Sequence, residues 1–145
     1  MDPRIMQVIQ SQRLCVLATS SPEGPYCSLM GYLWEEHANE FYIVTDSASK
    51  KFLNLMQDPR VSLLLDTRTR GSQTEKNPIL ALTVQGTAQP LPRDGLEDGI
   101  RKKMVEINPQ LARLIQKPNT VVVRIRPSSF LFLEGVENAY FEELE

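Results

Sequence analysis

Between residues 40 and 60 the chain reads EFYIVTDSASKKFLNLMQDPR, a stretch that gathers hydroxyl and ammonium groups around a short apolar frame. Phe41, Tyr42, Ile43 and Val44 form a β-prone run that ends in Thr45. Asp46, Ser47, Ala48 and Ser49 make a polar turn, after which Lys50 and Lys51 open a segment where Phe52, Leu55 and Met56 recur at helical spacing. A change from strand to helix over so few residues places hydroxyls, unpaired first-turn N–H groups and two cations at one helix N-terminus. Those are the parts of an anion site. Lysine in the first helical turn has the wrong sign for the helix dipole unless an anion sits beside it. The structural alternative is that Ser47 or Ser49 caps the helix and the two lysines are solvated surface charges. The local sequence supports both.

Other chemistry-bearing residues are sparse. His37 is the only histidine, and its neighbours Glu35, Glu36, Ala38 and Asn39 read as an exposed hairpin tip. A Ser-His-Asp triad would have to use it, and one histidine with two scattered cysteines does not make a zinc site. Cys15 and Cys27 both lie in apolar, strand-like runs. In a reducing compartment they read as small buried hydrophobes and not as a disulfide.

The totals describe a chain of 145 residues, the size of one domain spanning 1–145, with 41% apolar residues. Sixteen basic and eighteen acidic residues leave a net charge of −2, so no overall field draws the chain to nucleic acid or to an anionic membrane. Any anion must be held locally. The N-terminus lacks the pattern of a signal peptide, and no apolar run is long enough to span a bilayer, so the expected location is the cytoplasm.

The elements that must position the junction follow in order. Asp2-Pro3 has the form of an N-cap and first helical residue, and Ile5, Met6 and Ile9 give a short helix ending near Gln12. Residues 14–19, LCVLAT, are expected to form a buried strand, followed by a turn and a second, aromatic-rich strand in which Gly31 suits a bulge or a close neighbour. EEHAN then joins that strand to the one ending at Thr45 in an antiparallel hairpin. The helix ends at Asp58-Pro59, because the residue before proline is pushed out of the α region. VSLLLD, residues 61–66, reads as a strand buried on both faces.

The stretch 67–77 carries no apolar residue and is expected to be a long surface loop. A long strand over 78–91 follows, with Gly86 a bulge and Pro90 and Pro92 closing it. Leu96, Ile100 and Met104 then mark a helix whose basic run 101–103 reads as its wet face. Asn108-Pro109 restarts a second helix carrying Leu111, Leu114 and Ile115. Residues 120–125 and 129–133 form a last strand or pair of strands interrupted at Pro127. In the acidic tail, Tyr140 and Phe141 can dock on the domain or on a second subunit. About six long antiparallel strands with few helices favour a closed or partly closed barrel.

The run FYIVTDSASKKFLNLMQDPRVSLLL resembles the signature of the pyridoxamine 5′-phosphate oxidase-like flavin-binding split barrels. LCVLATSSPEGPYCSLMGY before it and LTVQGTAQPL after it agree in order and spacing, while the C-terminal third matches only loosely. The resemblance implies a mainly β fold, a six-stranded antiparallel split barrel with helices. It also implies a homodimer, with one FMN in each of two clefts at the subunit interface. Carried over, Lys50 and Lys51 match the basic pair near the phosphate, Ser49 and Thr45 its hydroxyl partners, and Val44 a strand residue beside the cofactor. Residues 29–34, with Leu29, Met30, Gly31 and Tyr32 as the binding set, would lie along the ribityl chain and flavin ring.

Two departures narrow the expectation. Leu29 and Trp34 stand where the oxidases proper carry an arginine and a lysine, and the oxidases' C-terminal substrate signature has no counterpart in FLFLEGVENAYFEELE. The implied activity is therefore an FMN-dependent oxidoreductase of unassigned substrate and unassigned catalytic residues, acting on a small molecule. The alternatives are a flavin-binding stress or sensor protein without turnover, a haem-binding relative for which His37 is the only axial candidate, and a deazaflavin-binding relative.

Overall fold

The computed structural model describes residues 1–145 with the exception of 70, 72, 73 and 75. Helix α1 (Pro3–Ser11) starts where Asp2 caps the Arg4 N–H, and it buries Ile5, Val8 and Ile9. It is followed by β1 (Leu14–Ser21), β2 (Gly24–Gly31), β3 (Leu33–Glu35), β4 (Glu40–Asp46), α2 (Lys50–Gln57), β5 (Arg60–Asp66) and β6 (Leu80–Pro90). Next come α3 (Gly95–Ile107), a 3₁₀ turn (Pro109–Leu111), α4 (Ala112–Ile115), β7 (Thr120–Glu134) and β8 (Asn138–Glu143).

All strand pairs are antiparallel, in the order β2-β1-β5-β6-β7-β4-β3, with β8 added to the C-terminal half of β7. The two ends of that path, β2 and β3, are joined by the single residue Tyr32, so the sheet curls until its edges meet. Tyr32 holds that seam. Its N–H donates to Arg13 O, and its hydroxyl lies 2.5 Å from Ile9 O and 2.9 Å from Gln12 O. The result is a mainly β, antiparallel split barrel with helices. Among the described residues the strands number eight where six are expected, because the aromatic strand breaks at Tyr32 and the acidic tail pairs with β7.

Alternation along the strands corrects two readings. The apolar runs of β1 and β5 are buried on one face only: Cys15, Leu17, Val61, Leu63 and Leu65 point inward, while Leu14 and Leu64 point out. The strand buried on both faces is β4. Phe41 and Ile43 join the barrel interior, and Tyr42 and Val44 join a second cluster formed with Ile100 and Met104 of α3 and Val122 of β7.

Gly86 is the expected bulge. A Cβ there would lie 2.5 Å from Arg126 O, and the register shifts between Gln85 and Gly86. This irregularity accommodates Pro127 opposite it, so β7 runs unbroken for 15 residues instead of stopping at the proline.

Four further expectations change. Cys27 is exposed, because it lies on the outer face of β2; Cys15 is buried. Met56 is exposed, and α2 buries Asn54 beside Leu55. Arg101 is not on the wet face of α3 but inside, paired with the buried Glu97. Thr67, at the start of the presumed surface loop, is fully buried, with its N–H on Leu80 O and its hydroxyl accepting the Leu80 N–H at 2.9 Å. Part of that loop lies outside the described residues. Among the described residues no helix is long and apolar enough to cross a membrane.

Candidate functional site

At the end of β4, Thr45 is buried and its hydroxyl lies 3.0 Å from that of Ser49. The turn between them is built by Asp46, whose carboxylate accepts the Ala48 N–H at 2.7 Å and whose carbonyl accepts the Ser49 N–H at 3.0 Å. Ser47 N–H donates to Asn119 O at 2.8 Å, which ties the turn to the start of β7. Ser49 is the N-cap of α2, accepting the Phe52 N–H. The helix is anchored at its middle by buried Asn54, which donates to Thr19 Oγ1 of β1 at 3.1 Å. With the Phe52 N–H taken by this cap, the amides of Lys50 and Lys51 are the first-turn groups without an intrahelical acceptor, as at the start of any α-helix.

Above this junction lies a cleft of about 220 Å³. One end is polar, formed by Thr45, Asp46, Ser49 and Lys51. The other is apolar: Leu29, Met30 and Gly31 from β2 and Val44 from β4, closed by Leu111 and Leu114 from the 3₁₀ turn and α4. Gly31 suits the close approach here, since a Cβ would lie 3.1 Å from both Leu111 methyl carbons and Leu111 would have to give way.

Seven of the nine residues that the sequence marks for the site therefore share one cleft: Leu29, Met30, Gly31, Val44, Thr45, Ser49 and Lys51. Two do not. Lys50 is turned to the β1–β2 hairpin, where its ammonium donates to Glu23 at 3.1 Å. Tyr32 is drawn into the barrel by its hydrogen bonds to α1. Trp34 also lies elsewhere, packed at a tilt against Phe41 at 4.7 Å between ring centroids, beside a separate hollow with Arg13 and Ile107. Sequence reasoning missed Asp46, Leu111 and Leu114. The polar turn contained the first, whereas the leucines reach the cleft only because α3 packs on β4 and β7.

A larger cleft of about 650 Å³ lies over the β1, β5 and β6 surface, with Ser20, Ser62, Thr87 and Ser128. Its arginine, Arg60, is already paired with Asp58 at 2.8 Å. The smaller cleft combines an ammonium group, two hydroxyls and a helix N-terminus with an apolar wall. That donor set fits one anionic group attached to an apolar body.

The family model described as pyridoxamine 5′-phosphate oxidase matches residues 1–134. This chain belongs to that family. Within the pyridoxamine 5′-phosphate oxidase-like split barrels, it is similar to General Stress Protein 26 from Bacillus anthracis str. Sterne, at 26% identity and a TM-score of 0.71. That match covers 97% of this chain and 96% of the other. It is similar in fold to an FAD-binding protein from Mesorhizobium loti, at 18% identity and TM-score 0.72, over 91% of this chain and 94% of that one. It is also similar in fold to a haem-binding protein from Mycobacterium smegmatis, at 18% identity and TM-score 0.79. Here 94% of this chain spans only 55% of the longer protein. No protein with a curated description matches. These two structural neighbours carry names that denote FAD binding and haem binding.

Proposed function

We propose that the cleft holds the phosphate and part of the body of FMN, and that the protein is an FMN-dependent oxidoreductase of small molecules, acting as a homodimer in the cytoplasm. The observation that carries this reading is the convergence of Thr45, Ser49 and Lys51 with the ends of β2 and β4 in one cleft. Lys51 supplies the cation, the paired hydroxyls of Thr45 and Ser49 supply orientable donors, and the first turn of α2 supplies amides of the right polarity for a phosphate. Leu29, Met30 and Val44 offer apolar surface to the rest of the molecule.

FMN, when bound, supplies the redox chemistry; the chain binds, orients and desolvates it. The neighbour named for haem binding raises a haem alternative, but the only histidine, His37, is exposed in the turn between β3 and β4 and does not line the cleft.

The test is a fluorescence titration of the purified chain with FMN, followed by addition of NADH or NADPH. FMN binding with nicotinamide-dependent bleaching supports the oxidoreductase, and binding without bleaching supports a flavin carrier or sensor. No binding at micromolar FMN removes the proposal. Lys51→Ala is expected to weaken FMN by about tenfold or more, taking roughly 1.5–3 kcal/mol for a charge-assisted contact. Lys50→Ala should do much less, because its ammonium is committed to Glu23.

A further inference from the structure

The segment 108–115 belongs to the part of the chain that matched the flavin proteins only loosely, yet it closes one side of the cleft. We infer that Leu111 and Leu114 are specificity-determining residues, a wall that admits a phosphate ester only when its body turns an apolar face to the end of β2. This rests on the phosphate reading of the polar end given above.

Three observations carry it. Leu111 sits against the bare backbone of Gly31, with both methyl carbons 3.1 Å from where a Cβ would be, and Asn108 Nδ2 lies 3.3 Å from the same point. A side chain at residue 31 would therefore press on Leu111 and Asn108, so the wall comes close to the strand at its glycine. The segment is also pinned at both ends. Asn108 is buried and donates its N–H to Met104 O at 2.8 Å, while Arg101 donates to Ile115 O at 3.1 Å and to Thr120 Oγ1 at 2.9 Å. Finally, Leu111 and Leu114 line the same cleft as Met30 and Val44 and present methyl groups with no donor or acceptor of their own, so the polar side chain at the wall is that of Asn108.

A ligand that follows β2 out of the polar end must pass this wall. A simple sugar phosphate sets only hydroxyls against the leucines, whereas FMN carries an apolar ring beyond its ribityl hydroxyls. An aromatic or otherwise apolar body gains buried area. The wall therefore favours FMN over a simple sugar phosphate and leaves affinity for the phosphate group itself untouched.

The test is an equilibrium titration of the full chain and its variants with FMN, ribose 5-phosphate and inorganic phosphate, each variant first checked for an unchanged melting temperature. Leu111→Ser and Leu114→Ser should each weaken FMN by about tenfold, the loss expected for uncovering part of a leucine. Their affinity for inorganic phosphate should not change. The volume-conserving Leu111→Met should retain FMN binding, and the serine variants should narrow the preference for FMN over ribose 5-phosphate. Lys51→Ala should weaken FMN and phosphate together. Serine variants that leave FMN unchanged, or that weaken phosphate as much as FMN, would overturn the wall while leaving the flavin reading intact. A wild-type chain that binds phosphate and no FMN would overturn both.

Discussion

Ser49 serves two purposes with one hydroxyl, since it caps α2 by accepting the Phe52 N–H and lies within hydrogen-bond distance of Thr45 in the cleft. Capping and anion binding are therefore compatible at this residue, where the local sequence alone presents them as alternatives. The lysines next to it divide. Lys51 lines the cleft and Lys50 pairs with Glu23, a distinction that two adjacent identical side chains cannot reveal before the hairpin carrying Glu23 is placed. The cysteines divide in the same way: Cys27 is exposed and Cys15 is buried, and burial pushes the Cys15 thiol up to about 12 from an ordinary 9.0. Because the folded value lies above the unfolded one, folding favours the protonated thiol. That contribution is complete below about pH 9 and is lost as pH rises toward 12. Tyr42 moves in the same direction, to about 12, through burial and its hydrogen bond to Glu40. Stability measured by urea unfolding should fall between pH 9 and pH 11, and Cys15→Ala should make that fall shallower. An unchanged slope would show that Cys15 is not among the groups responsible.

At the level of elements, β4 and α3 show how much periodicity reveals. The unbroken apolar run of β4 has a partner on each face, and the change to helical period after Thr45 signals α2. That change anticipates a start near Ser47, but the helix begins at Lys50, because Ser47 and Ala48 are held in the Asp46 turn and Ser49 is the cap. In α3 the spacing of Leu96, Ile100 and Met104 identifies a helix but not its rotation. Leu96 faces solvent, while Glu97, Ile100, Arg101 and Met104 face the sheet. The reason is an ion pair. Arg101 donates to Glu97, to Thr120 Oγ1 and O, and to Ile115 O, so a charge that reads as solvated is satisfied inside. Removing one partner should be costly. Arg101→Met leaves the buried Glu97 with only Arg93, 3.4 Å away, and should destabilise by about 3 kcal/mol or more in urea unfolding. Replacing both, as Glu97→Leu with Arg101→Met, should cost less than the single change. If the double variant is the less stable, the pair contributes more than its desolvation penalty.

Over the whole molecule, the outer surface of β2, β1 and β5 carries a row of apolar side chains. Register sets Leu29 beside Val16 and Val16 beside Leu64, with Leu29 71% and Leu64 37% exposed, and Leu29 also lines the cleft. That continuity is why the proposed homodimer is placed on this face, where a second copy would cover the row and border the cofactor. Leu64→Lys, outside the polar end of the cleft, should convert a dimer to a monomer in sedimentation velocity and weaken FMN at the same time. A dimer that persists with unchanged affinity would move the interface elsewhere.

What the sequence determined by itself was local or matched in order: the Asp2-Pro3 helix start, the strand-to-helix junction at Thr45, the bulge at Gly86, and the family, whose motifs lie along a continuous run of the chain. Each depends on neighbours a few residues apart, where backbone sterics and periodicity act. Only the tertiary structure decided which lysine faces the cleft, that Tyr32 closes the barrel seam, that Arg101 is buried, and that Leu111 and Leu114 wall the site. Those outcomes turn on contacts between residues distant in the chain, and the side chains that make them carry no local sign of the partner they will meet.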